Sequence, residues 1–153
     1  MVPRGLRPLA LLTILLGTVP ARADGNPSTT LAGKIEVASI LAACTGGVTG
    51  GGSGVLVRRD GGIFRWRLST ARARPEETFV RTEPAVAARL FARLDEIGFG
   101  KINYSRPSNI TCALARSDAS GTHEVAWRVR DAEAPAAVLA VHAEIGALVP
   151  ADR

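Results

Sequence analysis

The chain has 153 residues, of which 46% are hydrophobic, and its 19 basic and 14 acidic side chains give a net charge of +5. This length suggests a single domain. The charge is small for a nucleic-acid-binding protein, which usually carries a concentrated basic stripe.

The N-terminal residues have the three parts of a secretory signal peptide. Arg4 and Arg7 form the positive start, residues 9–16 are a short uncharged apolar run, and residues 21–23 (Ala-Arg-Ala) fit a cleavage site. The apolar run is shorter than the ~20 residues that a membrane-spanning helix needs. We therefore predict that residues 1–23 are a signal peptide that is removed, that the protein is periplasmic or extracellular, and that no stable membrane span remains.

Cleavage also changes the charge of the protein. It removes three of the 19 basic residues (Arg4, Arg7 and Arg22) and none of the 14 acidic ones, which leaves 16 against 14 and a net charge of +2. Nucleic acid is therefore not expected as a partner.

Two cysteines, Cys44 and Cys112, belong to the mature chain. An even number of cysteines in an exported chain predicts a disulfide, so we expect these two to be paired. Zinc is the competing interpretation, because the chain also has His123 and His142. The four residues contain no CxxC or HxxxH pair, so no metal site is predicted.

The first half of the mature chain is predicted to be a flexible leader followed by strands. Residues 24–33 form the leader, and residues 34–42 predict a strand with Ile35, Val37 and Leu41 on one face. The sequence DGG at residues 60–62 indicates a hairpin, because glycine accepts the positive φ of tight turns.

The return strand of this hairpin shows a period of two. Phe64, Trp66 and Leu68 alternate with Arg65 and Arg67. This pattern is typical of a strand with one buried and one solvent-exposed face.

The second half predicts helices around another hairpin. Apolar residues recur at helical spacing after Pro84 and again after Pro135, and Gly98 is expected to end the first helix. Residues 110–116 and 122–130 flank the turn sequence SDASG. The element order predicts one α+β domain over residues 34–149, an antiparallel sheet with two helices packed on one face as a two-layer sandwich, and a frayed tail at residues 150–153.

A glycine-rich stretch, CTGGVTGGGSG, fills residues 44–54. It lacks the lysine of a phosphate-binding P-loop, and the dinucleotide fingerprint GxGxxG fits it in no register. We interpret it as a mobile connection between two strands, tethered at one end by the disulfide, that is able to bind a partner.

Catalytic chemistry has few candidate residues. A Ser/His/Asp triad would need His123 or His142, and both lie in patterns that favour structural roles at a strand end and on a helix face. A small hydrolase is therefore disfavoured, and we predict a non-enzyme without a cofactor.

Several features together resemble the emfourin-type proteins, which are small inhibitors of thermolysin-like metalloproteases, and several small secreted domains of unknown function that are built alike. These features are a glycine pair near an early hairpin, a helix ending at Gly98-Phe99, the hairpin sequence THEVAWRV, and a terminal helix led by Pro135. The resemblance covers roughly residues 35–148. The matching pair is either Gly46-Gly47 or Gly61-Gly62. The resemblance to the emfourin-type proteins implies the same fold and an extracellular protease as partner.

Two hypotheses about function follow. The first is an exported binding module, a protease inhibitor that acts through the glycine-rich stretch and the neighbouring arginines. Its predicted partner-binding residues are Gly50, Gly51, Gly52, Ser53, Arg65 and Arg67. The alternative is a structural or envelope-associated protein without catalytic activity.

Overall fold

The computed structural model describes Leu31 and residues 38–150. The predicted signal peptide and most of the predicted leader lie outside these residues, as do residues 151–153. The elements in chain order are β1 (Ser39–Gly46), β2 (Gly51–Arg58), β3 (Gly62–Leu68), β4 (Glu76–Thr82), α1 (Pro84–Glu96), a 3-10 turn (Phe99–Lys101), β5 (Ser105–Arg106), β6 (Ile110–Asp118), β7 (Gly121–Arg128) and α2 (Ala136–Gly146).

All seven strands of the described chain form one sheet, in the order β4-β3-β2-β1-β6-β7-β5. Every neighbouring pair is antiparallel except β5 and β7, which run parallel. Strand β1 lies at the centre, between β2 and β6. The first half of the chain therefore builds one wing of the sheet, and the second half builds the other.

The predicted antiparallel two-layer sandwich is wrong, although the α+β composition and the disulfide are confirmed. The sheet is larger than predicted, and it is mixed. The parallel strand β5 has only two residues, Ser105 and Arg106, which pair beside Ala126 and Trp127. A strand this short has no periodic pattern, so the sequence gives no signal for it.

Both helices contribute to a core on one face of the sheet, here called the helix face. Leu90 and Leu94 of α1 and Val141 and Ile145 of α2 are fully buried there, as their helical spacing predicted. The strands supply branched side chains to the same cluster. These include Ile40, Val55, Val57, Ile63, Leu114, Val125 and Trp127.

The opposite face of the sheet, here called the second face, is also apolar and buried. Its cluster consists of Leu31, Leu41, Ala43, Leu56, Trp66, Leu68, Ala113, Ala115 and Ala126. Leu31 is 1% exposed, and its backbone N–H donates a hydrogen bond of 2.6 Å to the carboxylate of Glu124 on β7. The central strands are therefore buried on both faces, where the prediction had given the sheet only one covered face.

Candidate functional site

The glycine-rich stretch is a β-hairpin with a short turn. Gly46 pairs with Gly51, and Cys44 pairs with Ser53. The N–H of Gly50 donates to the carbonyl of Gly47 at 3.2 Å and closes the turn over residues 47–50. The predicted mobile connection is therefore wrong in its extent, because most of it belongs to β1 and β2. Residues 44–54 are called the glycine hairpin from here on.

Glycine is required in this hairpin for two physical reasons. Gly50 has φ 64°, a left-handed conformation that side chains disfavour. A β-carbon at Gly54 would collide with the carbonyl oxygen of Ala42 and with the Cβ of Ala43 at 2.5 Å, both on β1. The glycines thus shape the turn and allow β2 to approach β1 closely.

The hairpin is held in place from both sides. The Cys44–Cys112 disulfide joins two directly paired residues of β1 and β6, with their Cα atoms 3.9 Å apart. The N–H of Gly47 donates to the carbonyl of Asn109 at 2.8 Å, and the carbonyl of Thr49 accepts from the N–H of Ala71 at 3.1 Å. These contacts brace the turn against the loops before β6 and after β3.

Val48 projects from the tip of this braced turn, with a side chain that is fully exposed. Two further exposed apolar side chains lie at the same end of the sheet. Ile110 is opposite Gly46, and the N–H of Val129 donates to the carbonyl of Ile110 at 3.3 Å. Val48, Ile110 and Val129 are called the apolar end. They are three of the five exposed large hydrophobic residues of the described chain.

The sequence did not single out Val48. The signal available was an apolar residue enclosed by turn-forming glycines. Such a residue has no neighbour in the turn to cover it, so exposure is expected.

The predicted partner-binding residues fall into two groups. Gly50 is in the turn, and Gly51 and Gly52 lie on β2, where they pair with β1. Ser53, Arg65 and Arg67 instead line a cleft of about 440 Å³ on the helix face, here called the helix cleft. A groove of about 490 Å³ links the two groups, because Gly51 and Gly52 of the first group and Ser53 and Arg67 of the second all line it.

Both histidines pack against aromatic rings. His123 contacts the carbonyl of Ile102 at 3.1 Å through Nε2 and lies edge-on to Phe99. His142 lies edge-on to Trp127. Burial lowers the pKa of His142, and a contact with the backbone of Ala43 offsets only part of that effect.

No group of three or more His, Cys, Asp or Glu side chains in residues 38–150 is arranged to hold a metal ion. Neither helix in that part of the chain is long and apolar enough to cross a membrane.

No protein family matches this chain, and no curated protein matches it. The emfourin-type resemblance therefore rests on the sequence pattern alone, and protease inhibition stays a prediction.

Proposed function

We propose that this chain is an exported binding module whose glycine hairpin contacts a protein partner. The observation that carries the proposal is the apolar end. Exposed apolar side chains scattered singly are normal, whereas a group of them at one place is typical of an interaction surface. Val48 is exposed at the tip of the hairpin turn, and Ile110 and Val129 are exposed at the same end of the sheet.

The rigidity of the hairpin supports the same proposal. A binding loop that is already ordered loses less conformational freedom when it binds. The disulfide and the backbone bonds to Asn109 and Ala71 order the turn that carries Val48. A partner would therefore meet this side chain in a fixed position.

Export is supported by two independent features. The first is the signal-peptide pattern of residues 1–23. The second is the Cys44–Cys112 disulfide, since such bonds persist mainly in oxidising compartments outside the cytosol. We therefore propose that the mature protein works in the periplasm or outside the cell.

An extracellular protease is the partner that we propose. Protease–inhibitor complexes form between pre-organised surfaces whose backbones move little on binding. A braced hairpin with an apolar residue at its tip fits an apolar specificity pocket of such an enzyme. The emfourin-type resemblance points to thermolysin-like metalloproteases within this class.

The test is titration of the mature protein against thermolysin-like proteases, together with capture of partners from its own envelope extract. We expect Val48→Asp to weaken inhibition or capture by about tenfold or more, because a charge would replace an apolar side chain that becomes buried in the complex. Val80→Asp is the matched control, since Val80 is an exposed valine on the edge strand β4, outside the apolar end.

Equal loss in both variants would argue against the hairpin as the contact surface. Absence of both inhibition and a captured partner would refute the binding function itself.

A further inference from the structure

The second face of the sheet is buried, although neither helix of the described chain packs on it. Leu41, Leu56 and Trp66 are fully buried there, and the residues of α1 and α2 belong only to the cluster on the helix face. Side chains of a strand stand roughly perpendicular to the sheet, so neighbouring strands cover their sides and leave their outer ends open. The full burial therefore requires a further part of the chain over this face.

Leu31 shows which part of the chain this is. Its side chain is 1% exposed and belongs to the second-face cluster. It lies in the leader predicted over residues 24–33, and the predicted cleavage after residue 23 leaves it in the mature chain. Among the described apolar residues outside the strands, only Leu31 and Ala73 join this cluster.

The second-face cluster is too wide for these two side chains to cover. It runs across the sheet from Trp66 on β3 to Ala126 on β7. At the usual spacing between neighbouring strands this is a width of about 19 Å. Since Leu31 already packs on this face, the residues next to it in the leader are the nearest source of the remaining cover.

A row of small residues crosses the middle of the second face. Directly opposite one another on successive strands are Gly54, Ala43, Ala113 and Ala126. The ring of Trp66 on β3 is opposite Gly54 and closes one end of the row. Residues that are directly opposite on neighbouring strands share one face, so this row leaves a shallow trough in which an extended segment can lie close to the sheet.

Glu124 holds the leader at β7. It lies opposite Ala115, which lies opposite Leu41, so its carboxylate is on the second face. This carboxylate accepts the hydrogen bond of 2.6 Å from the N–H of Leu31. A charged group beside an apolar surface is stabilised by such a donor, so both the side chain and the backbone of Leu31 are held.

The chain between Leu31 and β1 is long enough for this path. Ala38, the residue before β1, is seven positions after Leu31. Seven residues span at most about 24 Å. Glu124 is two strands away from Leu41 on β1, which is about 10 Å. The leader can therefore cross β7 and β6 before the chain enters β1.

We propose that the leader, residues 24–33, docks on the second face and covers it, with Leu31 as its anchor. The residues before Leu31, DGNPSTT, are polar or turn-forming and suit the outer side of such a layer. Without the leader, the second face would be a large exposed apolar patch of the kind that promotes association between proteins.

The two tryptophans make this cover measurable, because each reports on one face. Trp66 belongs to the second-face cluster and Trp127 to the cluster on the helix face, and the chain has only these two. Trp127→Phe leaves Trp66 as the only fluorophore of this type, and Trp66→Phe leaves Trp127. Quenching of their fluorescence by acrylamide in the mature protein then measures the exposure of each face separately.

Leu31→Asp is the main test. It should raise the quenching constant of Trp66 by about twofold or more, because an aspartate is unfavourable against the apolar face and the leader would leave it. The quenching of Trp127 should not change. Val48→Asp is the matched control, since it introduces the same charge at an exposed residue outside both clusters, and it should change neither signal.

Two results of this test would overturn the proposal. Unchanged quenching of Trp66 in Leu31→Asp would mean that the leader does not cover the second face. Increased quenching of both tryptophans would mean that Leu31 belongs to a core shared by both faces, rather than to a segment docked on one of them.

Hydrogen exchange tests the anchor directly. The N–H of Leu31 should exchange about tenfold or more slowly than an unprotected amide in the mature protein, and Glu124→Ala should remove most of this protection. Glu124→Gln keeps an oxygen acceptor and should retain part of it. An unprotected Leu31 amide in the unaltered protein would contradict the docked leader.

Dilution distinguishes the leader from a second copy of the chain as the cover. Docking within one chain does not depend on concentration, so the quenching of Trp66 should stay constant over about a hundredfold dilution. Protection that is lost on dilution, together with dissociation in analytical ultracentrifugation, would assign the second face to a partner copy and overturn the proposal. None of these measurements needs the protein partner of the glycine hairpin, so this inference and the proposed function can fail independently.

Discussion

The two faces of the sheet are both buried, but different kinds of side chain build them. The helix face packs branched aliphatic residues of the strands against α1 and α2. The second face combines four alanines with three leucines of β1 to β3 and the ring of Trp66, and Leu31 packs on it from outside the sheet. The comparison shows that this sheet has apolar, buried side chains on both faces, although α1 and α2 pack on only one of them.

The largest expected effect tests whether the second face is a core equal to the first. Trp66 on the second face is fully buried, and Trp127 on the helix face is 4% exposed. Replacing either by alanine should lower the free energy of unfolding by about 3–5 kcal/mol, because each leaves a large cavity. Urea denaturation of the two variants measures this. A nearly silent Trp66→Ala would mean that only the helix face stabilises the fold.

The disulfide should have the next largest effect. It joins helix-face positions of β1 and β6, 68 residues apart in sequence. The Cys44→Ser and Cys112→Ser double variant should lose roughly 2–4 kcal/mol of stability, mainly because its unfolded chain is less constrained. Chemical denaturation of the variant beside the oxidised protein gives the difference. A loss below about 1 kcal/mol would show that chain constraint matters little here.

A smaller effect tests the close approach of β1 and β2. Gly54→Ala should cost about 1–3 kcal/mol, because the new methyl group would overlap Ala43 and the backbone of β1. Gly100→Ala is the control, since a β-carbon there meets nothing within 4 Å. Comparison of thermal melts at equal concentration is sufficient. Similar melting temperatures for both variants would mean that β2 can shift away from β1 without penalty.

The smallest effect concerns acid stability at the rim of the helix face. Burial raises the pKa of Asp131, but hydrogen bonds from the Tyr104 hydroxyl, at 2.9 Å, and the Glu133 N–H outweigh it and hold the pKa below its ordinary value. A carboxylate with a lowered folded pKa stabilises the fold above its unfolded pKa, and that contribution disappears as the pH falls through the folded value.

Tyr104→Phe should therefore lower stability near pH 7, and the gap to the unaltered protein should shrink below about pH 4. Denaturation midpoints of both proteins, measured from about pH 2.5 to about pH 7, would give this gap at each pH. A gap that stayed constant with pH would mean that Tyr104 acts only through packing.

The sequence correctly predicted the strands and helices whose apolar residues recur at a regular spacing. The alternation around Trp66 correctly indicated a strand with one buried face, and the helices that begin at Pro84 and after Pro135 are confirmed. Strand β1 was predicted over residues 34–42, whereas it spans Ser39–Gly46, with residues 34–37 outside the described chain. Its end was missed because glycine is depleted in strands, so the residues next to Gly46 were assigned to a connection.

The second face could not be predicted in the same way. Strands β1 and β6 contain the runs SILAAC and ITCALA, in which both alternating sets are apolar. Such a run shows burial without showing what covers each face. The helix cleft was likewise hidden, because it depends on where α2 ends above Ser53 and Arg65, which lie far from it in sequence.

The central position of β1 affects how quickly the chain can fold. Its pairing with β2 needs only a short hairpin, whereas its pairing with β6 must wait for residues about 68 positions further along the chain. Pairing of strands that are distant in sequence is slow, because the chain loses the entropy of closing a long loop before it gains any stabilising contact. We therefore expect the pairing of β1 with β6 to be a slow step in folding. An intact Cys44–Cys112 bond holds the β1 and β6 segments close together even in the unfolded chain. We therefore expect it to speed refolding as well as to stabilise the folded sheet.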